Sequence, residues 1–278
     1  MRVLVTGASG LLGPYLMEAA SALGEALGVA RSGTDIACDL TDADAVLRAV
    51  RSAEPSVVIH AAAFTDVDGC ERDPARAEAA NHQAVANLVA ALPAGCHLVH
   101  VSTDQVYPDT AGPHAEGNER PVNAYGRSKL AGELAARRHP RATVLRTNLF
   151  GPARTKGRQS LSDFVASSLS QGKQITLFTD VYFSPLHMRT LAALSVEVAS
   201  RGLVGTYNAG SRQGMSKRDF GHQVARHLGL AATTASDGAS TNVPGRAPRP
   251  RDLRMDVTKI EGALGRRMPT CEEEIRRL

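Results

Sequence analysis

The chain contains 278 residues, of which 43% are hydrophobic, and it carries a formal net charge of +4 at pH 7. This length is sufficient for one large domain or two closely joined ones. Lys and Arg are scattered, no aromatic–basic stripe occurs and no apolar run is long enough to cross a bilayer, so a nucleic-acid reader and a membrane protein are both disfavoured.

The cysteines indicate a reducing compartment and no metal site. They are Cys38, Cys70, Cys96 and Cys271, and none of them forms a C-x-x-C pair. A zinc site or a redox motif is therefore not expected, and four free thiols are typical of a cytoplasmic protein. The N-terminus starts directly with a strand pattern and shows no signal peptide. The mild positive charge suits an anionic nucleotide ligand.

A glycine-rich turn opens the chain. Residues 2–6 are an apolar run typical of a buried strand, and Gly7, Gly10 and Gly13 follow before a helical pattern begins. This spacing differs from the commonest dinucleotide fingerprint, but the physical roles are the same. Gly7 permits a tight turn, Gly10 lets the backbone approach a pyrophosphate, and Gly13 lets the helix pack against the strand. The turn predicts a dinucleotide site, with an ordinary strand–helix turn as the alternative.

Arg31 lies at the end of the next predicted strand, residues 26–30, which follows a helix that runs to about Leu23. An acidic residue at this position would bond the adenosine ribose and select NAD, whereas an arginine accommodates the 2′-phosphate of NADP. Arg31 therefore predicts a preference for NADPH, with a solvent-exposed arginine as the alternative.

Strands and helices alternate through about residue 150. Beyond the first βαβ unit, the predicted strands cover 56–60, 97–102 and 143–146, and the predicted helices cover 43–52 and 74–91, with another that carries Tyr125 and Lys129 and ends near Arg138. Residues 70–73 are expected to form only a surface turn, and the polar insert over 108–120 is expected to be a loop over the site. Such alternation predicts a parallel sheet with helices on both faces.

The sequence changes character after Phe150. Residues 151–160 are basic and loop-like, and they are either a solvated loop or a contact to a substrate diphosphate. Strands are predicted over 175–178 and 205–208, helices over 162–171, 189–201 and 217–228, the last capped by Ser216, and a charged helix ends the chain. Residues 231–250 show little pattern. We expect an α/β protein with a Rossmann-like, doubly wound parallel sheet over 1–150, and a smaller C-terminal lobe over 151–278 from which segments return to the first domain.

Thr103, Tyr125 and Lys129 are the candidate catalytic residues. Thr103 follows a predicted strand, and Tyr125 and Lys129 are four residues apart, so they share one face of a helix. A nearby ammonium lowers the pKa of a phenol, which makes the pair a tunable proton donor or acceptor. The Thr103 hydroxyl is suited to holding a carbonyl oxygen before that tyrosine. The alternative is an ordinary surface pair on an amphipathic helix.

Four stretches of this sequence resemble the extended short-chain dehydrogenase/reductases, and within them the dTDP-4-dehydrorhamnose reductase family. They are residues 6–13, 61–68, 102–107 and 125–133, and the second half matches more loosely through Arg146-Thr147, 205–208 and Arg249-Pro250. The resemblance implies that the lobe over 151–278 binds a nucleotide sugar. It also implies that NADP(H) is the preferred cofactor, with NAD(H) as an alternative.

The resemblance also assigns roles to individual residues. Tyr125 would protonate an alkoxide, Lys129 would hold the cofactor ribose and lower the pKa of the tyrosine, and Thr103 would position the carbonyl. The implied cofactor contacts are Gly7, Gly10, Leu11, Leu12, Gly13, Arg31, Asp39, Leu40, Ala61, Ala62, Ala63, Thr65, Tyr125 and Lys129. Among these, Asp39 and Leu40 would lie beside the adenine, and the small side chains at 61–63 leave room for the cofactor along the strand ends. Asn81 would sit near the nicotinamide, with a helix-surface asparagine as the alternative.

The predicted function is NADPH-dependent reduction of the 4-keto group of a nucleotide-activated deoxysugar. Two positions depart from the family, since Gln105 and Leu149 stand where an aromatic residue and a tryptophan are common, which leaves the substrate open. The alternatives are a nucleotide-sugar epimerase and a non-catalytic cofactor-binding subunit similar to the methionine adenosyltransferase beta subunit. A redox-sensing repressor is disfavoured because no DNA-binding element is found. The resemblance allows a homodimer and, in some members, magnesium, for which no ligand set is identified here.

Overall fold

The computed structural model describes residues 1–240 and 245–278. Numbered in chain order, the strands are β1 (Arg2–Thr6), β2 (Glu25–Ala30), β3 (Ile36–Ala37), β4 (Val57–His60), β5 (His97–Thr103), β6 (Ala142–Thr147), β7 (Leu149–Phe150), β8 (Ile175–Phe178), β9 (Tyr182–Phe183), β10 (Leu186–His187), β11 (Gly205–Ala209), β12 (Met215–Ser216), β13 (Ala235–Gly238) and β14 (Asp252–Leu253). The helices are α1 (Gly13–Ala20), α2 (Ala43–Ala53), α3 (Val67–Arg72), α4 (Pro74–Glu78), α5 (Ala84–Ala91), α6 (Ala124–Ala136), α7 (Leu161–Ser170), α8 (Met188–Ser200), α9 (Lys217–His227), α10 (Thr258–Leu264) and α11 (Cys271–Ile275).

A seven-stranded parallel sheet forms the centre of the protein, in the order β11-β6-β5-β4-β1-β2-β3. Every residue of β4, β5 and β6 is buried, as expected for parallel strands covered by helices on both faces. The strand order reverses between β1 and β4, so a crevice opens at their carboxyl ends, where doubly wound folds bind ligands. The predicted Rossmann-like α/β fold is confirmed.

Two apolar clusters cover the two faces of this sheet. One packs α1, α8 and α10 against the sheet, and the other packs α2, α5 and α6 against the opposite face. A third cluster forms the core of a smaller lobe, built from α7, α9 and α11 around Phe150, Phe183 and Phe220. The lobe carries three short sheets, β7–β10, β8–β13 and β12–β9–β14. The division of the chain at residue 150 stays a prediction, since α8 and β11 come from the second half but belong to the large sheet domain.

Local capping explains where several helices begin. The Asp42 side chain accepts hydrogen bonds at the start of α2, and Asn123 accepts one from the Gly126 N–H at the start of α6. Ser160 begins α7 with a capping box, and Ser216 begins α9 as predicted.

The structure corrects two local predictions. Residues 70–73 are not merely a surface turn, because they complete α3, which buries Cys70 fully. The predicted helix over 74–91 is interrupted by a π-helical turn at Ala79–Gln83, a feature that the apolar periodicity does not reveal. Residues 241–244, within the stretch of little pattern, lie outside the described residues.

The insert over 108–120 is a loop, as predicted, and it is anchored to the C-terminal segment. The Gly112 N–H donates to Asp252 at 2.8 Å, and the buried His114 ring contacts the Asp252 carbonyl at 2.9 Å. In the described part of the chain, no helix has both the length and the apolar character needed to cross a membrane.

Candidate active site

Thr103, Tyr125 and Lys129 come together beneath the carboxyl edge of the sheet. Thr103 is the last residue of β5, while Tyr125 and Lys129 lie on the face of α6 that packs against the sheet. Tyr125 is 8% exposed and Lys129 is 2% exposed, so neither belongs to a solvated surface pair. The alternative interpretation of the pair is therefore wrong.

The Tyr125 phenol is held in its protonated form. Burial raises its pKa, and a hydrogen bond with the Thr103 hydroxyl acts in the opposite direction. The expected direct lowering of this pKa by Lys129 is not seen, because the Lys129 ammonium donates to the Val101 carbonyl at 2.8 Å instead. A protonated phenol beside a hydroxyl is suited to donating a proton to an oxygen atom.

Lys129 lies next to two buried imidazoles. Burial, opposed by the nearby Glu133 carboxylate, lowers the pKa of Lys129 to about 8. His60 and His100 occupy paired positions on β4 and β5, and their rings stack with centroids 5.2 Å apart. Burial and the Lys129 charge lower the pKa of His60 to about 3, so both rings are neutral neighbours of the ammonium. The imidazoles therefore add no charge that would compete with Lys129.

Asp104 is a site residue that the motif analysis did not single out. It follows Thr103, is 1% exposed, and accepts hydrogen bonds from Asn148 at 2.8 Å and from Thr103 at 3.2 Å. Burial raises the pKa of Asp104 to about 6. Its position directly after Thr103, a predicted catalytic residue, was a signal present in the sequence. A carboxyl group with such a pKa changes its protonation within the neutral to mildly acidic range.

The glycine-rich turn forms the backbone cradle that a dinucleotide requires. Gly7 has a φ of +73°, and a side chain there would meet the Ala62 backbone at 2.7 Å. A side chain at Gly13 would meet the Ala8 carbonyl oxygen at 2.1 Å, so α1 could not start so close to the turn. Within the described residues, the Leu11 and Leu12 N–H groups donate no hydrogen bond. These donors at a helix start without a side-chain cap are suited to an anion.

The other implied cofactor contacts line the same crevice. Ala61, Ala62 and Ala63 follow β4 directly, are only half-buried, and lie against the glycine turn, while Thr65 is exposed beyond them. Gly10 is placed within the turn by its N–H, which donates to the Gly7 carbonyl at 2.8 Å.

The adenine-side residues lie at the ends of β2 and β3. The Leu40 carbonyl is held by the Asn87 side chain at 3.0 Å, and Asp39 is exposed, with its pKa lowered by hydrogen bonds from Thr41. Arg31 is exposed directly after β2. The sequence analysis missed Asp35, whose carboxylate accepts from the Gly28 N–H at 2.7 Å, because this contact depends on how β2 and β3 pair.

Asn81 is buried rather than on a helix surface. Its side chain accepts from the Phe64 N–H at 2.7 Å and donates to the Phe64 carbonyl and to the Ser128 hydroxyl, each at 3.0 Å. The Ser128 hydroxyl in turn donates to the Tyr125 carbonyl at 2.9 Å. Asn81 therefore positions α6 and the loop after β4, and the surface alternative is wrong.

Arg154 and Thr155, within 151–160, contact α1 and the glycine turn. Arg154 forms an ion pair with Glu18 on α1, and the Thr155 hydroxyl donates to the Gly10 carbonyl at 3.0 Å. This placement does not support the suggested contact with a substrate diphosphate.

A different set of cations lies near Asp104, the residue that follows β5. Lys217 is half-buried at the start of α9. It lies close enough to Asp104, Arg246 and Arg249 for their charges to influence its pKa. Burial is the main cause that lowers the pKa of Lys217 to about 8, and repulsion from Arg246 adds to it. Arg249 forms an ion pair with Asp68 at 2.9 Å. These cations create a positive wall beside the crevice, and the sequence analysis missed it because they lie far from Asp104 along the chain.

Metal-ligand geometry is not found among the described residues, 1–240 and 245–278. No group of three or more His, Cys, Asp or Glu side chains is placed to hold an ion.

Taken together, the Rossmann-like sheet, the glycine turn and the Thr103–Tyr125–Lys129 arrangement define an oxidoreductase of the extended short-chain dehydrogenase/reductase class. Within that class, residues 1–278 match the RmlD substrate binding domain family. The chain belongs to this family.

Two relatives and one solved structure illustrate the match. The probable low-salt glycan biosynthesis reductase Agl14 of Haloferax volcanii is 34% identical, over 99% of this chain and 96% of the relative. A dTDP-4-dehydrorhamnose reductase of Mycolicibacterium smegmatis is 36% identical, over 90% of this chain and 76% of the relative. The crystal structure of dTDP-4-dehydrorhamnose reductase from Bacillus anthracis in complex with NADP has a TM-score of 0.90 at 25% identity, covering 99% of this chain and 97% of that one.

A relative of another kind is also similar. The methionine adenosyltransferase 2 subunit beta of Danio rerio is 29% identical, over 94% of this chain and 84% of the relative.

Proposed function

We propose that the protein reduces the 4-keto group of a nucleotide-activated deoxysugar with NADPH. The observation that carries this proposal is the buried, protonated Tyr125 beside Thr103 at the carboxyl end of β5, next to a cradle for a dinucleotide. The NADP complex of the Bacillus anthracis reductase supports the choice of cofactor. The proposed cofactor is NADP(H), with NAD(H) as a weaker alternative.

The residues of this chain fit a dinucleotide at three points. The Leu11 and Leu12 N–H groups would hold its diphosphate, the small side chains at 61–63 leave space along the strand ends, and Arg31 would offer a charge to a 2′-phosphate. When bound, the cofactor supplies the hydride of the reduction.

The side chains of this protein orient the substrate and donate the proton. Thr103 orients the substrate carbonyl, and Tyr125 gives its phenolic proton to the oxygen that becomes the product alcohol. Lys129 lies one turn along α6 from Tyr125, where its ammonium would hold the cofactor ribose. Asn81 and Ser128 keep α6 in place during this step.

The positive wall supports an anionic substrate. Lys217 is influenced by the charges of Asp104, Arg246 and Arg249, so the three cations lie in one neighbourhood beside Asp104. Such cations attract and orient a diphosphate-linked sugar. The four cysteines are all free, which agrees with the proposed cytoplasmic location.

The test is NADPH oxidation with a panel of nucleotide-4-keto-6-deoxysugars, using the wild type and the Tyr125→Phe variant. We expect turnover with at least one sugar and a loss of about 100-fold or more in kcat in the variant, because general acid catalysis contributes roughly that much. Binding of NADPH should be nearly unchanged in the variant. Full turnover by Tyr125→Phe would refute the role of the phenol.

A second function is favoured by one comparison. The similarity to the methionine adenosyltransferase 2 subunit beta raises a non-catalytic, cofactor-binding subunit as the alternative. Tight NADPH binding without turnover on any sugar, together with a stable complex with a synthetase, would support that alternative. A nucleotide-sugar epimerase would instead interconvert two sugars with no net oxidation of NADPH. A homodimer stays a prediction.

A further inference from the structure

The segment of residues 152–158, called the strap here, crosses from the small lobe to the glycine-rich turn. It leaves β7 and reaches α7, and on the way it contacts both α1 and the glycine-rich turn. The Tyr15 hydroxyl donates to the Pro152 carbonyl at 2.7 Å, and the Thr155 hydroxyl donates to the Gly10 carbonyl at 3.0 Å. The second contact joins the strap to the glycine-rich turn, three residues before α1 begins.

Arg154 fastens the strap to the exposed side of α1. Its guanidinium forms an ion pair with Glu18 and lies over the Tyr15 ring, 4.1 Å from the centroid. Glu18 also pairs with Arg189 on α8 at 2.9 Å, so α1, α8 and the strap meet at one carboxylate. Because its charge is paired with Glu18, Arg154 holds the strap against α1.

Two cations of the strap, Lys156 and Arg158, are exposed and form no ion pair within the described ranges 1–240 and 245–278. Of these two, Lys156 is directly next to Thr155. The Leu11 and Leu12 N–H groups beyond Gly10 are the free donors for an anion. The strap therefore brings a positive charge to the same end of α1 at which these backbone donors are free.

We propose that the strap is the outer wall of the cofactor's diphosphate site, with Thr155 fixing the glycine turn and Lys156 supplying positive charge to the diphosphate. This inference rests on the proposed cofactor binding and assigns a segment of the second half of the chain to it. Because the diphosphate is common to NADPH and NADH, the strap acts on both cofactors equally. Arg31 differs, since a 2′-phosphate is present in NADPH alone.

The experiment measures the Kd of NADPH and of NADH by fluorescence titration at low and moderate salt. The variants are Lys156→Gln, Thr155→Val and Arg31→Ala, and Lys173→Gln, an exposed lysine after α7, is the matched control. We expect Lys156→Gln to raise both Kd values about fivefold and to weaken their salt dependence. Thr155→Val should raise the Kd of both cofactors more than twofold, Arg31→Ala should raise only the Kd of NADPH, and Lys173→Gln should match the wild type.

Two results would overturn the proposal. If Lys156→Gln and Thr155→Val leave both Kd values within twofold of the wild type, the strap is not part of the site, although the proposed function stands. If the wild type binds neither cofactor, the proposed function and the strap assignment fall together. An effect of Lys156→Gln on NADPH alone would place Lys156 at the 2′-phosphate and would also overturn the diphosphate assignment.

Discussion

The ionisation of Asp104 is linked to the fold around the site. Its pKa is raised to about 6 by burial, above its usual value of 3.8. A carboxyl group with a higher pKa in the folded protein than in the unfolded chain binds its proton more tightly when folded. Its contribution to stability is therefore complete below about pH 4 and is lost as the pH rises through about 6.

The Asp104→Asn variant tests this linkage. The amide keeps an acceptor for Asn148 but does not titrate. Relative to the variant, the wild type should lose on the order of 3 kcal/mol of unfolding free energy between pH 4 and pH 7, because each pKa unit corresponds to about 1.4 kcal/mol. Urea unfolding at pH 4.5, 5.5 and 7 measures the difference. Parallel curves for the two proteins would show that the buried carboxyl group does not titrate as proposed.

Individual site residues could be predicted from the sequence where their placement depends only on nearby residues. Tyr125 and Lys129 share a helix face because they are four positions apart, and Gly7 lies directly after a strand, so no distant contact is needed to recognise either. Asn81 and Lys217 could not be assigned with the same certainty. Their roles arise from contacts with Phe64, Ser128 and Asp104 that only the folded chain creates.

The helical stretch from α4 through the π-helical turn to α5 supports both ends of the crevice. Asn81, in the π-helical turn, holds Phe64 and Ser128, and the Ser128 hydroxyl donates to the Tyr125 carbonyl. Asn87, on α5, holds the Leu40 and Thr41 carbonyls on the adenine side, at 3.0 and 3.1 Å. One continuous element thus connects the two halves of the proposed cofactor site.

Alanine substitutions at these two asparagines should separate the two roles. Asn81→Ala removes the side-chain partner of the partly buried Phe64 N–H and of the Ser128 hydroxyl, so we expect a loss of about 2–4 kcal/mol in stability and a kcat lowered at least tenfold. Asn87→Ala should raise the Kd of NADPH severalfold while kcat at saturating cofactor stays near the wild-type value. Steady-state kinetics and cofactor titration of both variants provide the measurement. Equal effects of the two variants on kcat would contradict the separation.

The π-helical turn also marks the limit of prediction for elements. Most strands and helices follow from apolar runs, periodicity and caps, and they lie within a few residues of the expected bounds. The extra residue of a π-helical turn shifts the face of the helix, and a hydrophobic pattern over 74–91 does not resolve that shift. Likewise, α3 is too short for its periodicity to distinguish it from a turn.

The molecule as a whole is more interwoven than a division at residue 150 suggests. β11 pairs with β6 and completes the edge of the large sheet, and α8 packs against α1 on one of its faces. The Asn208 side chain on β11 accepts a hydrogen bond from the Tyr107 hydroxyl and donates to the His114 carbonyl at 2.9 Å. The alternation of strands and helices in the sequence predicted the sheet. The sequence pattern did not indicate that β11, from the second half of the chain, would pair with β6.

A fragment of residues 1–150 should therefore not fold alone. Without β11 the backbone edge of β6 is unpaired, and without α8 the apolar side chains that pack against Leu191, Leu194 and Val198 face water. We expect the isolated fragment to aggregate or to unfold without a cooperative urea transition, whereas the full chain shows a single transition. Co-expression with residues 151–278 should restore cofactor binding. A fragment that unfolds cooperatively and binds NADPH by itself would show that the first half is a self-sufficient domain, because α8 and β11 would then be dispensable for its core.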